Sequence, residues 1–170
     1  MDDEIEVLKE FLKEHPDSIS TWRDLAYKYY EKEDYKSAIL AYKNALKITP
    51  KDAILWHNLG FMYYEIKEFN KALEALERAI EINPELAISY SEMSSIYIDM
   101  QQFQNAIKAA RKAIALDPKD TDARTNLGSC LYHQGDYQQA IKELEQVLEI
   151  NPHLDFPKKV LDLAKDRMSK

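Results

Sequence analysis

The chain has 170 residues, 45% hydrophobic and 31% charged, with three glycines and one cysteine, Cys130. A net charge of −7 and a pI near 5.2 argue against general affinity for nucleic acid or an anionic membrane, since both need a basic surface. One thiol excludes an internal disulfide framework, and no apolar run reaches the roughly eighteen residues that spanning a bilayer needs.

The N-terminal MDDEIEVLKE is acidic and lacks the apolar core of a signal peptide, so a cytoplasmic location is expected. Ile5, Leu8 and Leu12, with Val7 and Phe11 beside them, predict a helix over residues 3–14. His15-Pro16 stops it, because proline lacks an N–H and biases the preceding residue away from α. Asp17 or Ser18 is placed to cap the next helix.

From there the chain repeats. Pro16, Pro50, Pro84, Pro118 and Pro152 stand 34 residues apart; only Pro157 lies off the ladder. Each interval predicts two helices of about fourteen residues joined by a tight turn. In residues 19–52, Trp22, Leu25, Ala26 and Tyr29 form one face of the first helix and Ala38, Tyr42 and Ala45 that of the second. Residues 53–86 repeat this with Trp56, Leu59, Gly60 and Tyr63, then Ala72, Leu76 and Ala79. Residues 87–120 use Tyr90, Met93, Ser94 and Tyr97, then Ala106, Ala110 and Ala113. Residues 121–154 use Arg124, Leu127, Gly128 and Leu131, then Ala140, Leu144 and Val147. Small residues at 26, 60, 94 and 128 let helix axes approach closely. Tyr35, Phe69, Phe103 and Tyr137 open the second helices, placed to wedge between successive units. After the last link, Val160, Leu161, Ala164 and Met168 make one apolar stripe.

The pattern W-x2-L-[GA]-x2-Y … A-x3-[FYL]-x2-A-x4-P resembles the tetratricopeptide repeat over residues 19–154, about four-fifths of the chain. The resemblance implies an all-α fold, a right-handed α-solenoid of helix–turn–helix repeats. The expected organisation is an N-terminal half-repeat helix at 1–18, repeats at 19–52, 53–86, 87–120 and 121–154, and a capping helix at 155–170. Arg124, Leu131, Val147 and Ser94 depart from the pattern, so the fourth repeat is expected to pack differently.

In this family the first helices line the concave side, where ligands lie. Residue by residue, the resemblance then implies a peptide-binding groove that includes Arg23, Tyr27, Tyr30, His57, Asn58, Phe61, Tyr64, Glu92, Asn126 and Tyr132. Across all matched groove positions one arginine meets six carboxylates (Asp24, Glu31, Glu65, Glu92, Asp99, Asp122), a net of −5 with histidine neutral. The expected partner is a protein or peptide with apolar anchors and positive charge, and Asn58 and Asn126 are placed to hold its backbone through their amides. A chaperone's acidic C-terminal tail is disfavoured. The clamp that grips it in some family members needs asparagine, lysine and arginine where this chain has Tyr27, Ile88 and Glu92, and a carboxylate at Glu92 repels an acidic tail. Starting one repeat later gives His57, Phe61, Glu92, Asp122 and Asn126, a poorer match.

No GxxxxGK, GxGxxG, HExxH or CxxC motif occurs, so no catalytic residue, metal ligand or cofactor is assigned and the chain is read as a non-enzyme. Cys130 and His133 share a helix, but Cys130 falls on its packed side and His133 on its groove side. The expected function is a protein-interaction adaptor. The alternative is a self-associating scaffold, a homodimer joined through terminal helices, motivated by Ile5, Val7, Leu8, Phe11 and Leu12 in an unpaired N-terminal helix.

Overall fold

A computed structural model describes residues 2–169; Met1 and Lys170, the outermost residues of the first and last expected segments, lie outside the described residues. The architecture is an all-α helical repeat. Its helices are α1 (Asp2–Glu14), α2 (Ile19–Glu31), α3 (Tyr35–Ile48), α4 (Ala53–Glu65), α5 (Phe69–Ile82), α6 (Ala87–Asp99), α7 (Phe103–Leu116), α8 (Thr121–Gln134), α9 (Tyr137–Ile150) and α10 (Asp155–Met168). Among the described residues there is no strand. The chain divides into two compact units, unit 1 (Met1–Pro84) and unit 2 (Glu85–Lys170). Unit 1 packs α1 on α2 and stacks the hairpins α2–α3 and α4–α5 through α3 and α4. Unit 2 stacks α6–α7 and α8–α9 through α7 and α8 and closes with α10 on α9 and α8.

Each hairpin turns by one device. Glu33, Lys67, Gln101 and Gly135, again 34 apart, are left-handed, with φ of 58°, 60°, 58° and 83°. The residue after each donates its N–H to the carbonyl five back: Asp34 to Tyr29 (2.9 Å), Glu68 to Tyr63 (2.9 Å), Gln102 to Tyr97 (2.7 Å) and Asp136 to Leu131 (3.0 Å). That six-to-one bond closes a Schellman motif and satisfies a carbonyl the first helix would leave open. The second helix starts at once. Asp34 caps α3 through Ser37 N–H (3.1 Å), and Asp136 caps α9 through Gln139 N–H (3.2 Å).

The links between hairpins are tied to the proline ladder. The indole N–H of Trp22 donates to the Pro16 carbonyl at 2.9 Å, and that of Trp56 to the Pro50 carbonyl at 2.8 Å. Arg124 replaces the tryptophan in the fourth repeat and keeps the bond. Its Nε and Nη2 donate to the Pro118 carbonyl at 3.2 and 3.1 Å, and its Nη1 reaches Glu143 on α9 at 2.6 Å. The pattern's departure at Arg124 therefore preserves the link, and the new ion pair ties α8 to α9.

The small positions pair with large ones sixteen residues on. A Cβ on Gly60 would stand 2.8 Å from Leu76 Cγ, and one on Gly128 2.7 Å from Leu144 Cγ, closer than side chains tolerate. Leu76 and Leu144 are fully buried, each contributing about 2–3 kcal/mol through burial. Where the small residue grows to Ser94, its counterpart shrinks to Ala110, and both are fully buried.

Some expectations are corrected. Tyr35, which also reaches Glu65 of the next repeat, Phe69 and Tyr137 make their ring contacts within their own repeat. They meet the last aromatic of their own first helix, Tyr30, Tyr64 and Tyr132, at 6.1, 6.1 and 5.6 Å between centroids. The third repeat has Ile98 at that place, and Phe103 instead stacks on His133 of the next repeat at 5.0 Å. Met168 leaves the α10 stripe and is 54% exposed, while Pro157 joins Val160, Leu161 and Ala164 in burial. On α1, Ile5 and Leu12 are buried, so Val7 and Phe11 are its large exposed apolar residues. Short-range ion pairs form at i,i+3, as in Lys9–Glu6, Lys28–Glu31, Lys71–Glu68 and Arg78–Glu81. All are solvated, and each contributes little.

Candidate functional site

In unit 1 the first helices α2 and α4 bring an aromatic strip together. Tyr27 and Tyr30 lie 6.4 Å apart on α2, and Tyr30 lies 5.7 Å from Phe61 on α4. These spacings suit tilted ring packing. Tyr27 stays 54% exposed and Ile54 44%. Arg23, Asp24 and Glu31 are exposed around the strip, while Asn58, Tyr64 and Glu65 are half-buried. Tyr35 borders it, its phenol pushed up by burial and then by the nearby Glu65 and Glu33 charges. Lys28 joins Glu31 (3.0 Å) and Glu4 of α1 (3.3 Å), which raises its own pKa through those hydrogen bonds.

His57 does not present itself as expected. It stands one repeat after Arg23, yet it is 7% exposed, and burial lowers its pKa to about 4. This is a packed position rather than a contact surface.

In unit 2 the matching first-helix positions change character. The place held by Tyr27 and Phe61 passes to Ser95 and then Ser129. Ser129 is 8% exposed, and its Oγ finds no hydrogen-bond partner among the described residues. Asn126 does not offer its amide donors to a ligand, because its Nδ2 donates to Ser94 Oγ at 2.7 Å and Ser95 Oγ at 2.9 Å. Its carbonyl Oδ1 keeps its acceptor capacity. Glu92 and Tyr132 are half-buried. Between α6 and α8 lies a cleft of about 570 Å³ bounded by Ile88, Glu92, Ser95, Asp122 and Asn126. The link residues Asp117, Lys119 and Asp120 and Phe156 of α10 complete its wall. Sequence reasoning reached the α6 and α8 residues but missed Asp117, Lys119 and Asp120 of the link and Phe156, which it assigned to the cap. The signal was a phenylalanine next to Asp155 at the start of a helix whose stripe begins at Val160.

The second-helix side also carries a cavity. About 740 Å³ opens in unit 1 between α3 and α5, floored by Trp56, Leu59 and Tyr63. Lys43 and Lys71 lie 5.5 and 5.9 Å from the centre of the Tyr63 ring.

Reactive chemistry is muted. Cys130 is 1% exposed, and burial pushes its thiol up to about 11, so it stays protonated at neutral pH. His133, three residues on, is exposed and stacks on Phe103 instead. Among the described residues no group of three or more His, Cys, Asp and Glu is placed to hold a metal ion, and no helix is long and apolar enough to cross a membrane.

Comparison with known proteins agrees with this geometry. The family model described as the cytochrome c-type biogenesis protein H TPR domain matches residues 39–156, and the tetratricopeptide repeat model matches residues 19–52. No curated protein matches the sequence. A crystal structure of MamA is similar at 27% identity, with 87% of this chain and 86% of that one covered and a TM-score of 0.81. MamA from Desulfovibrio magneticus RS-1 superposes at 23% identity over 91% of this chain and 87% of that one, TM-score 0.80. YrrB, described as a TPR protein with an unusual peptide-binding site, superposes at 19% identity over 98% and 94%, TM-score 0.73. The last two show the fold alone. Helices, turns, small-to-large contacts and a family model over most of the chain lead to one conclusion: the chain belongs to the tetratricopeptide repeat family.

Proposed function

We propose that the chain is a non-catalytic adaptor that binds a peptide or protein segment along the first-helix faces, and that the segment carries apolar anchors and positive charge. One observation carries this reading: the aromatic strip Tyr27–Tyr30–Phe61 is packed edge to edge yet left open at Tyr27, with Asp24, Glu31 and Glu65 around it. Rigid aromatics in a patch are efficient anchors, because they bring contact area at little entropic cost. The surrounding carboxylates favour a cationic partner and repel an acidic one. Arg23, Asn58 and Tyr64 flank the strip in unit 1. Glu92, Asn126 and Tyr132 supply the corresponding contacts in unit 2, with Asn126 acting through its carbonyl.

Fluorescence anisotropy with labelled basic–apolar and acidic–apolar peptides of one length tests the reading. The basic set is expected to bind at least about tenfold more tightly, and Tyr27→Ala with Phe61→Ala to weaken it by about tenfold or more, the scale of anchor residues. Tighter binding of the acidic set, or unchanged affinity in the double variant, would overturn it.

A further inference from the structure

We infer that the cleft between α6 and α8 is the subsite that receives a basic side chain of the bound segment, with Ile88 and Phe156 holding the apolar residues that flank it. This rests on the peptide-binding reading above and gives its charge preference a place. The cleft exists because of one register position. Tyr27 and Phe61 fill that position in unit 1, whereas unit 2 has Ser95, whose hydroxyl leaves about 570 Å³ open. That volume suits a long side chain with part of its neighbours.

The lining selects the chemistry. Two of its donors are already used: Asn126 Nδ2 on Ser94 and Ser95, and the Thr125 hydroxyl on the Thr121 carbonyl at 2.7 Å. Glu92, Asp117, Asp120 and Asp122 line the cleft against the single cation Lys119, and Asn126 adds its Oδ1. Asp117 and Asp120 are held in position by backbone N–H groups of Lys119 (3.0 Å) and Ala123 (2.8 Å). Ammonium and guanidinium groups are all donor and no acceptor, so they complement a wall in which carboxylates outnumber the cation. An acidic group would meet carboxylates on several sides. The rim supplies the second half of the specificity: Ile88 is 51% exposed and Phe156 58%, on helices α6 and α10. A basic residue between large apolar residues matches charge and rim together.

The test is an NMR titration of the full ¹⁵N-labelled chain with acetyl-Leu-Arg-Leu-amide, its lysine counterpart and its citrulline counterpart, which keeps the shape of arginine without the charge. Saturable shifts are expected at the amides of residues 88–95 and 119–126. Either basic peptide should bind at least about fivefold more tightly than the citrulline peptide, in line with charge-assisted bonding. In Asp122→Asn the ratio should fall toward one, and Glu92→Gln should do the same. Phe156→Ala should weaken all three peptides alike and leave the ratio intact. Asp122 and Phe156 are exposed, so these two variants keep the fold even where Glu92→Gln disturbs it. Equal binding of the citrulline peptide, or a ratio untouched in Asp122→Asn, overturns the inference. Shifts confined to Tyr27, Tyr30 and Phe61 overturn it too while leaving the adaptor reading standing, and shifts nowhere overturn both.

Discussion

His57 shows how far a single residue's role departs from its register. Arg23 is exposed, His57 is 7% exposed and Ser91 7%, although all three occupy one position of the repeat. Burial disfavours the imidazolium and sets the folded pKa at about 4, against 6.5 unfolded. Between those values the unfolded chain takes up a proton that the folded chain refuses. The stability held by neutral His57 is therefore complete above about pH 6.5 and is lost as pH falls toward 4. The gap corresponds to about 3 kcal/mol. Carboxylates titrate in the same window, so the informative quantity is a difference. Urea unfolding at pH 7 and pH 4 should show wild type losing about 3 kcal/mol more than His57→Gln. Equal losses would mean that His57 protonates within the folded chain.

At the scale of the element, the hairpin turn is the part most repeated and least optimised. All four turns need a left-handed residue, but only Gly135 is a glycine; Glu33, Lys67 and Gln101 carry a Cβ there. A side chain in that region costs about 1–2 kcal/mol. Part of this is offset because glycine leaves the unfolded chain with more freedom. Lys67→Gly is therefore expected to stabilise unit 1 by about 0.5–1 kcal/mol, measured as a higher urea midpoint at unchanged slope. Gly135→Ala should destabilise unit 2 by about 1 kcal/mol, because the alanine must enter φ of 83°. A destabilised Lys67→Gly variant would show that the lysine side chain contributes more than its strain. These elements were legible in the sequence for a local reason. Caps such as Ser18, the proline ladder and the facing stripes are each read within a few residues. The left-handed site was not legible, because glutamate, lysine and glutamine at 33, 67 and 101 do not advertise positive φ, and only Gly135 does.

For the molecule as a whole, depth on the first-helix faces was the property that the repeat pattern did not carry. His57 is buried on α4, the helix that carries Phe61, whereas a cleft opens beside Glu92 on α6, the helix that carries Ser95. Asn126 spends its amide donors on Ser94 and Ser95, one repeat away, which no local pattern around residue 126 announces. Phe156 joins the cleft from a helix that periodicity marks only as a cap. Stability should follow the same near-neighbour logic, since each hairpin in such an array relies on the one beside it. Leu161 on α10 is 6% exposed and packs in one cluster with Val160 and the fully buried Leu144 of α9. Leu161→Ala removes that contact and leaves a cavity, a cost of about 2–5 kcal/mol. The Lys165–Glu145 pair between the same helices (2.8 Å) is about half exposed and offsets little of this. Because the loss falls at one end, hydrogen exchange should record it unevenly. Amides of α9 and α10 should lose protection first, those of α8 next, and those of α1 to α3 should keep theirs. A uniform loss across all these helices would show instead that the chain unfolds as one cooperative block, with the cap supporting helices far from it in sequence.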